Sequence, residues 1–228
     1  MRKRLRYMPE RTGENMAKQI WRPGNMLYPC PVVLVSVADK NGRDNLITIA
    51  WTGTVCSDPA MTYISVRKSR YSHELLTSNG EFVINLVTEK LVRAADYCGV
   101  RSGRNEDKFE TAGLTRGAAS SVSVPVVAES PVNIECRVTQ VLELGSHDMF
   151  LAEVTAVQAD DACLDETGKL DLNRARLAAY SHGEYTALGP VLGTFGYSVR
   201  KKKTTGKNKA KKGTAKPVRN GKPTGKNT

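Results

Sequence analysis

Apolar and β-branched residues gather along this chain in short runs, each closed by a turn signal. Residues 31–38 (PVVLVSVA) form the first run, and Asp39-Lys-Asn-Gly42 follows it as a hairpin-type turn, because Asn-Gly tolerates positive φ. Residues 45–52, 61–67 and 81–87 read as three further strands. Between the last two, residues 72–78 read as a short helix that starts at a serine cap and stops at Asn79-Gly80. Residues 88–98 carry helical spacing (Leu91, Ala94, Ala95, Cys98) with Thr88 as the cap. A polar stretch, 101–108, leads into a small helix or turn, and strands are expected at 125–128, 132–144 and 148–159. Many short strands and few helices predict a mainly β fold, an antiparallel barrel or sandwich, and argue against a doubly wound sheet. No internal repeat is visible.

Composition sharpens the picture. The 228 residues are 40% hydrophobic and 25% charged, a globular balance with length enough to build a core without disulfides. No apolar run approaches the ~18–20 residues of a membrane helix, and the first residues lack a signal-peptide pattern. The formal charge of +11 is unevenly placed: residues 200–228 hold twelve Lys/Arg and no acid. The 34 basic residues less those twelve leave 22 against 23 acids, a net of −1 for residues 1–199. The expected layout is a basic leader (1–24) packed on the domain surface, a body (25–199) and a disordered basic tail (200–228). That tail has no aromatic residue for base stacking, so any nucleic acid or other polyanion it held would be bound nonspecifically and with a steep salt dependence. A solubilising extension is the plainer alternative. Five widely spaced cysteines without a Cys-x-x-Cys pair point to a reducing compartment, the cytoplasm.

Several active-site patterns are missing, among them the Gly-x-Ser-x-Gly elbow, the phosphate loop and the zinc-protease helix. His73, His147 and His182 lie far apart, so a metal centre is not expected. The acids Asp160, Asp161, Asp165 and Glu166 lack calcium-loop spacing and read as a solvated hairpin with a turn at 165–168. Any redox chemistry must therefore come from a bound organic cofactor. One stretch could seat its anionic end: Ser65-Val-Arg67-Lys68-Ser69-Arg70-Tyr-Ser72 gathers three cations and two hydroxyls at a strand end and a helix start. A solvated basic turn is the alternative.

The segments Asn45-Leu-Ile-Thr-Ile-Ala-Trp51, Cys56-Ser-Asp-Pro59, Ser65-Val-Arg-Lys68, Gly80-Glu-Phe-Val-Ile-Asn85, Asp96-Tyr-Cys-Gly-Val-Arg-Ser-Gly103 and Asp107-Lys-Phe109 occur in one collinear order. With residues 125–129, 135–136 and 145–154, that order resembles the flavin reductase-like family, in its flavoredoxin branch. The resemblance spans about residues 26–198. It implies an antiparallel split β-barrel that binds FMN near the interface of a homodimer. It also implies NADH or NADPH as electron donor to an unidentified acceptor, or else electron transfer without nicotinamide turnover. Carried over by position, Asn45, Ile47, Thr48, Ile49 and Ala50 would run beside the flavin ring, chiefly through their backbone, with Trp51 and Thr52 beside them. Arg67, Lys68, Arg70, Ser72 and Lys108 would hold the phosphate, and Cys98 and Ser102 would lie close by. His147, in Gly145-Ser146-His147, takes the place where nicotinamide and flavin stack. Here Ser146 replaces the family's usual acid and Ala152 a glycine, so a structural role for His147 stays open, as does a core role for Trp51.

Overall fold

A computed structural model describes residues 18–200. In chain order its elements are β1 (Cys30–Pro31), β2 (Val33–Ala38), β3 (Asp44–Ile49), β4 (Thr52–Ser57), β5 (Ala60–Arg67), α1 (Tyr71–Asn79), β6 (Glu81–Leu86), α2 (Val92–Val100), α3 (Lys108–Thr111), β7 (Arg116–Gly117), β8 (Val126–Val127), β9 (Val132–Glu143), β10 (His147–Ala159), β11 (Ala178–Ser181) and β12 (Glu184–Ala187). Seven strands form one antiparallel sheet in the order β3-β2-β6-β9-β10-β5-β4, and β1-β11-β12 form a smaller one.

That order fixes the shape. β3 and β4 lie at opposite edges of the sheet yet follow each other in sequence, joined by Ala50 and Trp51 alone. Seven strands laid flat would put those edges about 29 Å apart, at about 4.8 Å per neighbour. Ile49 and Thr52 can be separated by at most about 11 Å. The sheet must therefore roll up until its edges nearly meet. It does not close: β3 and β5 are not paired, and the bond from the Ser65 amide to the Trp51 carbonyl (2.9 Å) only continues the β4–β5 register into the corner. The fold is an antiparallel split β-barrel, and the split is the seam between β3 and β5.

β2 shows how the interior is divided. Its six residues are all buried because both of its faces are covered. Val33, Val35 and Val37 join Ile47, Ile49, Ile64, Val66, Phe82, Ile84 and Phe150 in one core, into which α1 sends Leu75 and Leu76. Leu34, on the opposite face, joins Leu46, Ala95, Cys98 and Phe109 in a second core beneath α2 and α3. The two cores fix the barrel wall from both sides, and the site lies where that wall is split.

Several elements differ from expectation. Residues 45–52 do not form one strand: the chain leaves β3 after Ile49 and turns at Ala50-Trp51 into β4. The α1 N-cap is Arg70, with no side-chain bond, and Ser72 sits inside the first turn, where its hydroxyl accepts from Asn45. Gly80 ends that helix in the left-handed region, φ 74°, as Asn79-Gly80 implied. α2 starts at Val92 rather than Thr88, which instead bridges to Leu177. Residues 18–24 are exposed rather than packed, and the rest of the leader and tail lie outside the described residues. One compact unit runs to Gly189 and a second begins at Pro190.

A buried carboxylate pins the segment before β8. Glu135 is fully enclosed and accepts from the amide and hydroxyl of both Ser120 and Ser121 and from Gln158. Burial alone would raise its pKa, but the Ser120, Gln158 and Ser121 donors outweigh it and hold the group down at about 2, against an ordinary 4.5. The stability this group contributes is complete above pH 4.5 and is lost as pH falls toward 2. Glu135→Ala, which strands five donors, is expected to cost at least about 3 kcal/mol in denaturant unfolding. Glu135→Gln should flatten the drop in thermal midpoint between pH 4.5 and 2. An unchanged acid profile would overturn the assignment.

Candidate functional site

Two adjoining cavities of about 420 Å³ each open at the seam, and Ile47, Arg67 and Arg70 line both, so they are two ends of one cleft.

The wider end is built on exposed backbone. β3 pairs only with β2, so the N–H and C=O groups along its outer edge have no sheet partner. They run past Thr48, Ile49 and Ala50 toward Trp51, with Ser65, Val66 and Arg67 of β5 opposite. Such an edge offers donors and acceptors at fixed spacing to the rim of a flat heterocycle. α2 closes one side with Asp96, Gly99 and Val100. A Cβ on Gly99 would lie 3.2 Å from the Thr48 Cβ, and the Thr48 hydroxyl donates to the Ala95 carbonyl, so α2 presses directly on β3. At the mouth the rings of Trp51 and His147 lie 4.7 Å apart. His147 pairs in register with Arg67; burial and then that guanidinium lower its pKa, so the imidazole is neutral at pH 7. Its Nδ1 lies 2.9 Å from the Ser146 hydroxyl.

The smaller β1-β11-β12 sheet supplies the facing wall: Tyr180, Gly183 and Tyr185. The Tyr185 hydroxyl donates to Asp96 (3.1 Å), and burial first, then Asp96, pushes its pKa up to about 12.

The narrower end gathers the cations and donors that an anion would need. Arg67 and Arg70 make no ion pair among the described residues, whereas Arg101, Arg104, Arg116, Arg137, Arg174 and Arg176 each have a carboxylate partner. α1 begins here without a side-chain cap, leaving its first amides without one. Lys108 is 4% exposed; its ammonium donates to the carbonyls of Leu46 (2.8 Å) and Cys98 (2.9 Å), which leaves one N–H for the cavity it lines. Burial lowers its pKa to about 8. Tyr71 lines this end, and its buried hydroxyl has no partner. Asn45 donates to Ser72 (2.8 Å), and a Cβ on Gly103 would fall 1.9 Å from the Asn45 Oδ1, so only glycine permits that approach. Cys98 and Ser102 complete the lining; burial raises the Cys98 thiol to about 11, which keeps it protonated.

Two residues expected at the cleft are placed elsewhere. Lys68 points its ammonium at Glu143 (2.7 Å) and Asp148 (3.3 Å), since it follows the last residue of β5 and meets the β9–β10 hairpin. Thr52 lies past the corner, where its hydroxyl donates to the Tyr63 carbonyl across the β4–β5 pair. Asp96, Gly99, Tyr71, Tyr180, Gly183 and Tyr185 were not anticipated. For the last three a signal existed: His182-Gly183 is a two-residue turn with both φ positive (48° and 85°), flanked by short alternating segments.

Residues 25–189 match the flavin reductase like domain family. Among solved structures, flavoredoxin of Desulfovibrio vulgaris (Miyazaki F) superposes with a TM-score of 0.75 at 33% identity, covering 81% of this chain and 100% of that one. Flavoredoxin of Methanosarcina acetivorans gives 0.72 at 29% identity with the same coverages. An NADH:riboflavin 5'-phosphate oxidoreductase of Streptomyces pristinaespiralis is 26% identical over 143 residues, 63% of this chain and 78% of that protein.

Inorganic phosphate at ten times its dissociation constant is expected to raise the thermal midpoint by about 3–6 °C. Arg67→Ala combined with Arg70→Ala should abolish the shift. A wild-type protein indifferent to phosphate would remove the anion seat.

Proposed function

The chain belongs to the flavin reductase-like family, and from that membership we propose that it is an FMN-dependent oxidoreductase of flavoredoxin type, moving electrons from NADH or NADPH to an acceptor. The observation that carries this reading is the pair Arg67 and Arg70, which line both ends of the cleft and make no ion pair among the described residues. A folded protein rarely leaves two guanidinium groups converging on a cavity unless an anion completes them. FMN has the matching form, a flat ring for the β3 edge and a phosphate for the uncapped start of α1. The flavoredoxin neighbours and the NADH-dependent relative support the same reading.

In this reading each part of the chain has a task. The β3 edge from Ile47 to Ala50 orients the ring through backbone donors and acceptors, which leaves the faces of the ring to other residues. Arg67, Arg70, Lys108 and the α1 amides neutralise the phosphate, at about 1.5–3 kcal/mol per charge-assisted bond. Trp51 and the neutral His147 form the mouth where nicotinamide would stack, and Tyr180 and Tyr185 keep water from the other side. Bound FMN supplies the redox chemistry, a hydride's two electrons accepted from the nicotinamide and then delivered onward. No side chain has to move a proton for that step. Apolar side chains exposed on β4, β9 and β10, among them Val55, Val141 and Val157, favour a homodimer with the mouth near its interface. The free thiols favour the cytoplasm.

Purified protein is expected to be yellow or to bind added FMN, with Arg67→Ala and Arg70→Ala lowering affinity at least tenfold. Colourless protein that ignores FMN would end this reading. Rapid bleaching of the flavin band on mixing with NADH or NADPH distinguishes a reductase from an electron carrier without nicotinamide turnover. pH gives a separate check. The Lys108 ammonium is charged below about 8 and neutral above it. FMN affinity should therefore fall between pH 7 and 9.5, by at most about tenfold per unit, while riboflavin affinity and that of Lys108→Met stay level.

A second activity is favoured by the twelve Lys/Arg, without one acid, of residues 200–228. We infer that this tail holds polyanions, nucleic acid included, without sequence preference. Removal of residues 201–228 should abolish retention on heparin and leave flavin binding intact; unchanged retention would refute it.

A further inference from the structure

The first turn of α1 has no side-chain cap, yet each of its first three residues is held from outside the helix. The Tyr71 ring lies under the guanidinium groups of Arg43 and Arg104, at 5.1 and 4.8 Å. The Ser72 hydroxyl accepts from Asn45 (2.8 Å), and His73 donates through Nε2 to Asp148 (2.8 Å). Arg70, Tyr71 and Ser72 line the narrower end of the cleft, so these contacts fix one of its rims.

The third contact is the least expected. Asp148 is 5% exposed, and a buried carboxylate is costly unless it is paired. Its Oδ1 has no hydrogen bond and faces the Lys68 ammonium at 3.3 Å. Burial pulls its pKa up, but His73 and then Lys68 outweigh that and hold it below the ordinary 3.8, so it is ionised at pH 7. On β10 it sits opposite Val66, one register step from the His147–Arg67 pair. Side chains alternate along a strand, so His147 turns to the mouth and Asp148 turns to α1. Phe150, on the same face as Asp148, meets the His73 ring edge-on at 5.3 Å. The carboxylate thus ties the helix start to the two strands that carry Arg67 and His147.

Its charge has the wrong sign for an anion site. A negative group so close to a bound phosphate repels it, and this one also draws Lys68 away from the cleft. Whatever Asp148 adds to binding is therefore geometric.

We propose that Asp148 is a positioning residue: acting through His73, it sets the start of α1 at the distance from Arg67 that a flavin's phosphate needs. In this way it makes the protein select phosphorylated over unphosphorylated flavin. The inference rests on the reading of the cleft as a flavin site, and it adds a determinant that itself touches no ligand.

The test is a fluorescence titration of the full chain, stripped of ligand, with FMN and riboflavin. Asp148→Ala is expected to weaken FMN about tenfold and leave riboflavin within about twofold, which also shows that the variant is folded. Asp148→Asn, which keeps an acceptor for His73, should bring FMN binding back to within about threefold of wild type. His73→Ala should match the loss in Asp148→Ala, and the double variant should lose no more than either alone. Electrostatics by itself predicts the opposite sign, tighter FMN in Asp148→Ala, with the charge gone and Lys68 released. Tighter or unchanged FMN binding, or equal losses of FMN and riboflavin, would overturn the proposal. If Asp148→Ala does not fold, His73→Ala decides by the same criteria. Failure of FMN to bind the wild type would instead remove the flavin reading, and this extension with it.

Discussion

Ala50 and Trp51 connect strands that the sheet order puts farthest apart, and most of the architecture follows from that short connection. Because the corner cannot stretch, the sheet must curl; because β3 keeps only one sheet partner, the curl leaves one seam unpaired. An unpaired strand edge in a soluble protein has to be covered or used. Here α2, the β11–β12 hairpin and the cleft share it. The same corner carries Trp51 to the mouth, so the connection that shapes the barrel also supplies part of the site.

Electrostatics complete what the seam begins. Most arginines of the body are matched with carboxylates; among those that are not, Arg67 and Arg70 both line the cleft. Lys108 is the costliest of the cations, a buried ammonium held by two backbone carbonyls and no carboxylate. Two carbonyl dipoles do not replace full hydration, which is why its proton is held less firmly than usual. In the proposed reading an arriving phosphate would relieve that deficit, which would make binding and the charge state of Lys108 one equilibrium.

The strands were legible wherever periodicity and turn chemistry agreed: residues 31–38, the turn at Gly42, the pair 132–144 and 148–159, and the glycine stop at Gly80. The basic turn at 65–72 was legible as a cluster of cations from residue types alone, and the fold brings Arg67, Arg70 and Ser72 of it to the cleft. The corner after Ile49 was not, because nothing in Ile-Ala-Trp-Thr marks a change of sheet edge; that is set by how far the rolled sheet must reach. Lys68 and Thr52 were misplaced for a related reason, since neighbours in sequence diverge at a strand end, where alternate side chains face opposite ways. Tyr71 reads as an ordinary helical aromatic until its hydroxyl is seen to lack a partner. The wall at 178–187 was passed over because its strands are only four residues long.

That late hairpin sets an order of assembly during synthesis. A nascent chain possesses every cation of the narrow end once Lys108 has left the ribosome, but β5, which carries Arg67, joins the rest of the sheet only when β9 and β10 have followed. The tyrosines that shut out water arrive some seventy residues later, at Tyr180 and Tyr185. Enclosure of the wide end therefore waits for nearly the whole body to be made, and a truncated product would carry a shallow, leaky crevice in place of a sheltered one.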